Sequence, residues 1–498
     1  MPQKKQMKKL AQDTAIYGVS SIAGRFLNWL LVPLYTYVLT SSSEYGVVTN
    51  LYAWTAFLLV ILTYGMETGF FRFANKDRDQ AGKVYSTTLV SVGFTSLLFT
   101  ILVILFSNRI AGWLDYSENP EYIAMLGAVV AMDAFGSIPF AYLRYKNRPI
   151  KFASLKLLMV FANIIFNVFF LVACPWLAKN APETISWFYN PDYGVGYVFV
   201  ANLFSTGVVT LALLPEILAE KFSFDTALLR KMLRYSLPLL VLGIAGIMNQ
   251  TLDKIIFPYL FEDPALAKSE LGIYGACFKV AMVMMMFTQA FRYAYEPFIF
   301  AQHKDKNSLL AYADAMKYFV IFSLLIFLGM VFYLDIFKFV IRNDYWEGLK
   351  VVPVVLFSYI FQGVFFNLSL WYKLTDKTMY GAIFSVIGSI ITLAVNIIFV
   401  PVFSYMASAW AAFACYFVIM CLSYFVGQKH MPIKYDMKSI GIYTLTALVL
   451  FATSYLINTS YLALDLLLKS VLLIAFLTLV VKRDFPLNKI PYINKFIK

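Results

Sequence analysis

The chain has 498 residues, 61% hydrophobic and 14% charged, with a mean hydropathy of +0.71. That balance excludes a soluble globular domain and fits a polytopic membrane protein. The formal charge of +13 suggests nucleic acid only until the cations are located; they collect in every second loop between apolar runs, so no nucleic-acid partner is expected.

The apolar runs are continuous rather than alternating, which argues against a membrane barrel. Lys4, Lys5, Lys8 and Lys9 precede a run from near Thr14 to about Leu39 that continues past Arg25. It is longer than a cleavable signal segment and reads as a retained first helix. Runs of about 20 residues, enough to cross a hydrocarbon core of about 30 Å, follow near 46–72, 86–106, 122–143, 152–171 and 195–217. A basic connector with Lys221, Arg230, Lys231 and Arg234 leads to runs near 236–261, 271–300, 317–334, 351–371, 380–400 and 405–426. Two more lie near 440–457 and 461–481.

The expected fold is therefore an all-α polytopic membrane protein of about fourteen transmembrane helices. An N-terminal lobe over 1–218 and a C-terminal lobe over 219–432 hold six each; 433–498 adds two helices and a basic tail. A repeat supports two related lobes. A shift of 229 positions superposes Tyr45 on Tyr274, Gly46 on Gly275, Tyr64 on Tyr293, Glu67 on Glu296 and Phe71 on Phe300. Asn163-Ile164-Ile165-Phe166 returns as Asn396-Ile397-Ile398-Phe399. Repeats of this scale in an apolar chain mark secondary transporters, whose sites lie where the repeats face each other.

One set of alternate loops holds the N-terminal lysines, Arg72 to Lys83, Arg144 to Lys151, the central connector and the tail cations. By the positive-inside rule that side, with both termini, is cytoplasmic. The longest loop on the other side, near Pro175 to Gly194, leaves no room for a catalytic domain. No phosphate-cradling Gly-rich loop and no His-Glu-x-x-His pattern occurs. Cys174, Cys277, Cys415 and Cys421 lack the spacing of a zinc site and read as buried thiols, so no metal or other cofactor is expected.

Ionisable groups at bilayer depth cost at least about 2.5 to 3.5 kcal/mol each on insertion scales, which makes each a functional candidate. They are Arg25, Glu67, Asp133, Lys156, Asp253, Lys254, Lys279, Arg292, Glu296, Asp465 and Lys469. Arg25, with Asn28 a turn on, is read either as a cation for an anionic substrate group or as the partner of Glu67 or Asp133. Asn249 and Asp253, flanked by Gln250 and Lys254, form a stripe that lines a cavity or makes an interhelical seam. Arg292 and Glu296 are spaced to neutralise each other, as are Asp465 and Lys469. Glu67 and Glu296 are candidates for a gate closed by basic residues such as Arg72 or Arg148.

Ala23-Gly24-Arg25, Tyr45-Gly46 and the stretch Asn367-Leu368-Ser369-Leu370-Trp371-Tyr372-Lys373-Leu374-Thr375-Asp376-Lys377-Thr378 carry a family likeness. With the layout of six, six and two helices, the chain resembles the polysaccharide transporters of the multidrug, oligosaccharidyl-lipid and polysaccharide exporter superfamily, the O-antigen and lipid-linked oligosaccharide flippases. The resemblance implies two six-helix lobes around a cavity in a bacterial inner membrane. It also implies movement of an undecaprenyl-pyrophosphate-linked glycan to the periplasmic leaflet by alternating access. Cavity cations at Arg25, Arg292 and Lys254 would bind the pyrophosphate, with Asn28, Asn249, Asp253 and Asp133 as polar lining. The last two helices would form a groove for the lipid tail. Sodium or proton coupling through Glu67, Asp133, Asp253 or Glu296 is compatible with it, and the expected partners are the lipid-linked glycan, membrane lipid, glycosyltransferases and a glycan polymerase. A cation-coupled multidrug exporter of the same superfamily is the alternative reading. A glycan-processing membrane enzyme is more remote, because the outer loops are short.

Overall fold

The computed structural model describes residues 22–302, 308–457 and 461–484, together with 18, 20 and 459; the side chains at 294, 296–302 and 308 are not among those described. The described residues are predominantly helical and contain no strand. In hydrocarbon only such internally bonded backbone is tolerated. Among the described residues, eleven helices are long and apolar enough to cross a membrane, or twelve when Pro264–Val280 and Met282–Tyr293, bent by 44°, count as one span. The sixth expected run is a shorter apolar helix, Gly196–Ala212. The first expected span is represented by helical residues 22–29 and by Leu31–Val38, and its beginning lies outside the described residues.

The described residues form two compact units, each discontinuous in sequence. The first comprises Met1–Ala276 and Met379–Ala411. After α1 (Leu31–Val38) it contains α2 (Ser42–Thr63), α3 (Met66–Lys76), α4 (Ala81–Leu105), α5 (Pro120–Tyr145), α6 (Pro149–Val168), α7 (Gly196–Ala212), α8 (Thr226–Ile256), most of α9 (Pro264–Val280) and, later in the chain, Met379–Phe403. α4 packs on α5, α7 on α6, and α8 lies against both α2 and Met379–Phe403. Prolines at the first positions of α5 and α6 sit where the missing N–H is not needed. Asp225 caps α8 by accepting from the Leu228 N–H at 2.9 Å.

The second unit, Cys277–Thr378 and Ala412–Lys498, contains α10 (Met282–Gln302), α11 (Ser308–Phe332) and α12 (Val352–Leu368). It is completed, after α13 (Met379–Phe403) of the first unit, by α14 (Tyr405–His430), α15 (Met437–Ser454) and α16 (Leu462–Asp484). α11 is its hub and touches α10, α12, α15 and α16.

One departure from the sequence reading follows from a glycine. The run expected as one helix near 46–72 is broken between α2 and α3, where Tyr64 and Gly65 take φ of 33° and 71°. A β-carbon at Gly65 would lie 2.9 Å from the Ser236 carbonyl of α8, so both the positive φ and the close approach select glycine. In the second copy of the repeat Ala294 stands in that place, and α10 runs through it; the bend falls earlier, between Val280 and Met282. The repeat-related helices α2 and α9 also touch. A β-carbon on Gly46 would overlap the Lys268 carbonyl, and one on Gly272 the Ser42 carbonyl. The Ser42 and Ser269 hydroxyls are 2.7 Å apart. This is close backbone packing of the small-residue kind that drives helix association in lipid.

Candidate functional site

In the first unit the α2–α3 break places Glu67 in the first turn of α3, while Arg144 occupies the last turn of α5. Each charge complements the partial charge of its own helix end. Glu67 accepts a hydrogen bond from the Arg144 guanidinium, which also lies over the Phe71 and Phe152 rings, 5.1 and 5.8 Å from their centroids. The partner of Glu67 is therefore neither Arg72 nor Arg148 as expected; Arg72 instead stacks on Tyr235 at 4.1 Å. Lys156 stands 4.0 Å from the centroid of Phe140 and is attracted by both Asp133 and Glu67. Four half-buried residues of alternating sign thus lie together in this unit: Arg144, Glu67, Lys156 and Asp133.

A second cluster closes the end of α8. Asp253 is buried and forms an ion pair with Lys254 at 2.8 Å, while accepting from the Tyr274 hydroxyl at 2.8 Å. Asn50, fully buried, donates to the Lys254 carbonyl at 2.8 Å and accepts from the Tyr116 hydroxyl at 3.1 Å. One turn earlier Asn249 accepts from Ser389 of α13 at 2.8 Å. Asn249 and Asp253 therefore both make interhelical hydrogen bonds. The Lys254 charge is shared with Asp253.

Arg25 and Asn28 are exposed on the helical stretch 22–29. Asn163 of α6 donates to Asn28 at 3.5 Å, and buried Asn167 donates to Asn163 at 2.8 Å through the carbonyl and 3.1 Å through the side chain. This polar ladder runs from the Arg25 helix into the unit. The repeat partner of Asn163 is equally engaged: Asn396 is fully buried and accepts from Ser408 at 2.6 Å.

In the second unit Arg292 is exposed on α10, with its guanidinium 5.5 Å from the centroid of Phe366. The side chain of Glu296 lies outside the described residues, and with it the expected Arg292–Glu296 pair. Asp465 and Lys469 do not pair with each other as their spacing suggested. Asp465 accepts from the Thr459 N–H at 2.8 Å, and Lys469 reaches Asp335 at 3.4 Å. A cavity of about 290 Å³ between α11, α12, α14 and α15 is lined almost wholly by apolar groups, among them Leu324, Phe361, Phe425, Met437 and Ile440.

The sequence reading missed Arg144, which it counted as a loop cation, and gave no role to Asn50 or Tyr274. It also passed over Glu216, which is buried beside Lys151 and whose carbonyl accepts from Tyr85 at 2.7 Å. Arg144 ends an apolar run, a signal that sets it apart from the loop cations beyond it. No cluster of metal-binding side chains occurs among the described residues.

A family model described as "Polysaccharide biosynthesis protein" matches residues 10–303. No curated protein sequence matches the chain. Among solved structures, the lipid II flippase MurJ in an inward closed conformation is similar with a TM-score of 0.72 at 14% identity, over 95% of this chain and 99% of that one. A multidrug resistance MATE family transporter of the MOP superfamily is similar in its inward-facing form with a TM-score of 0.66 at 12% identity, over 84% of this chain and 97% of that one. An outward-facing MATE structure gives 0.60 at 12% identity, over 84% and 95%. The fold is that of these transporters.

Proposed function

The chain belongs to the polysaccharide biosynthesis protein family, and from that premise we propose that it is a flippase for an undecaprenyl-pyrophosphate-linked oligosaccharide. It carries the glycan from the cytoplasmic to the periplasmic leaflet of a bacterial inner membrane, with both termini cytoplasmic. The observation that carries this reading is the extent of the fold match. The flippase structure covers 95% of the chain, whereas the MATE structures cover 84%. The additional part of the chain thus favours a lipid-linked substrate over a drug.

A glycan cannot cross hydrocarbon and needs a hydrated, polar path, while its polyprenyl tail is at home in lipid. Arg25, exposed in the first unit, makes first contact with the pyrophosphate, because a guanidinium offers paired donors to phosphate oxygens; Arg292, exposed in the second unit, is the other candidate cation. Lys254 joins only by loosening its pair with Asp253. Asn28, a turn from Arg25, and Asn163, which donates to Asn28, supply neutral hydrogen-bonding groups, with buried Asn167 behind them. The apolar cavity of the second unit, bordered by Met437 and Ile440 of α15, suits the tail. Coupling to a proton or sodium gradient belongs to the carboxylates that face cations in the first unit, Asp133 beside Lys156 and Glu67 beside Arg144: neutralising either carboxylate frees its cation and biases the alternative state. The crossing at Gly46 and Gly272 is at the outer ends of α2 and α9 in this orientation and closes that side. Glycosyltransferases that build the lipid-linked unit and a polymerase that consumes it are the functional neighbours.

Protein reconstituted in vesicles is expected to move fluorescent lipid-linked oligosaccharide between leaflets, and Arg25→Ala to abolish the movement at unchanged protein level. Transport of organic cations in place of the lipid-linked glycan would favour the multidrug reading and reject this one.

A further inference from the structure

The end of the first unit opposite the Gly46 crossing holds a cationic pocket for which transport of a glycan gives no account. A cavity of about 260 Å³ is lined by Arg72, Phe73 and Lys76 of α3 and by Lys231, Arg234 and Tyr235 of α8. These residues lie at the C-terminal end of the span Ser42–Lys76 and near the N-terminal end of the span Thr226–Leu260, which places the pocket at the membrane surface. All four cations are exposed. Among the described residues none of them is in an ion pair. The neighbouring carboxylates are engaged elsewhere: Asp77 accepts from Gln80 at 2.9 Å and Asp225 pairs with Lys83 at 2.7 Å.

Arg72 and Lys76 are one turn apart, as are Lys231 and Arg234, and like charges at that spacing repel. Two such pairs facing one cavity raise a positive potential that the fold leaves uncompensated. The pocket is also shaped. The Arg72 guanidinium lies 4.1 Å from the centroid of Tyr235, and Phe73 meets the same ring edge-on at 6.3 Å. Stacking fixes the guanidinium plane and leaves its N–H edge for an oxyanion. The volume is near the lower end for ligand cavities, about 300 Å³ upward, and suits a compact anionic headgroup rather than a sugar chain.

We propose that this pocket holds the phosphate of a lipid headgroup at the membrane surface, anchoring the ends of α3 and α8. Basic pockets between membrane helices recognise phosphate headgroups by this combination of charge and position. Two sources share the chemistry, the bulk anionic phospholipid and a polyprenyl pyrophosphate. The proposal depends on α3 and α8 spanning the membrane and not on the glycan reading.

The test uses the full chain in detergent and reads lipid binding by native mass spectrometry with phosphatidylglycerol, phosphatidylcholine, undecaprenyl pyrophosphate and inorganic pyrophosphate as separate probes. The variant combines Arg72→Gln, Lys76→Gln, Lys231→Gln and Arg234→Gln; the control combines Lys373→Gln, Lys377→Gln, Lys429→Gln and Lys434→Gln, four cations outside the pocket. Retention of phosphatidylglycerol or undecaprenyl pyrophosphate is expected to fall by about tenfold or more in the pocket variant and to be kept in the control. The lipid that shows the loss identifies the source. Equal losses in both variants, no loss in either, or inorganic pyrophosphate bound as tightly as the lipids would overturn the proposal. Should the fourfold variant fail to fold, Lys76→Gln with Arg234→Gln, both at exposed positions, carries the same comparison.

Discussion

Glu67 and Arg144 are each more than a third exposed, so their attraction adds only about 0.2 to 1 kcal/mol to stability. That small figure makes them separable from the fold. Glu67→Gln is expected to leave the thermal midpoint nearly unchanged and to reduce export, because it releases Arg144 and removes one of the carboxylates that hold Lys156. Exchanging the pair, Glu67→Arg with Arg144→Glu, is expected to restore part of the activity; full recovery is not expected, since a carboxylate at 144 would face the Phe71 and Phe152 rings. If the exchange restores nothing in a well-expressed protein, the pair is not a gate. Asp225 offers a residue whose role depends on pH. The Lys83 ammonium and then the Leu228 N–H hold its carboxyl below the usual carboxylate range. A depressed value in the folded state means that the stabilisation is present above the unfolded value of about 3.9 and is lost as pH falls through the folded one. Asn caps helices as well as Asp, so Asp225→Asn removes the charge alone. Its thermal midpoint should lie below that of the wild type at about pH 6 and converge with it towards about pH 3; a gap that stays constant across that range would reject the charge as the cause.

At the scale of elements, the glycines decide which helices approach and where they bend. Gly46→Ala puts a β-carbon into the Lys268 carbonyl, and because the obstacle is backbone the helices must move apart. The expected loss is about 3 kcal/mol or more, beyond ordinary overpacking, and is read as lower yield and thermal midpoint. Gly246→Ala meets nothing within 4 Å and should be neutral or slightly stabilising. Similar effects at the two positions would contradict the crossing. The spans were legible in the sequence because a membrane helix needs a long apolar run, and that property is local. The 229-position shift in the sequence singled out Gly46 and Glu67 without saying what either touches. The break at Tyr64 and Gly65 was not, since it depends on the Ser236 carbonyl of a helix far along the chain. Spacing also misled at Asp465 and Lys469: residues four apart share a face, but each found a partner off its own helix, in Thr459 and Asp335. Arg144 was missed because cations at the ends of spans serve both sidedness and ion pairing, and only the fold separates the two uses.

For the whole molecule, the reading requires that the outer ends of α2 and α9 part during each cycle. The crossing that opposes this is small in area but tight, made by Gly46 and Gly272 and by the 2.7 Å contact between the Ser42 and Ser269 hydroxyls. Side chains that touch at that distance are within reach of a disulfide, whose β-carbons stand about 3.5 to 4.5 Å apart. Ser42→Cys combined with Ser269→Cys is therefore expected to cross-link under mild oxidation. Three of the native thiols are buried and Cys421 is half-buried, so each single substitution serves as the control for stray pairing. Binding of the lipid-linked glycan should survive the cross-link, because the Arg25 helix and the polar ladder behind it are untouched. Translocation across vesicles should stop, and a reductant should restore it. The two readouts together separate a conformational lock from damage, since a misfolded protein would lose both and regain neither. A cross-linked protein that still moves substrate at the uncross-linked rate would mean that this crossing does not open, and alternating access through the outer ends of α2 and α9 would have to be abandoned.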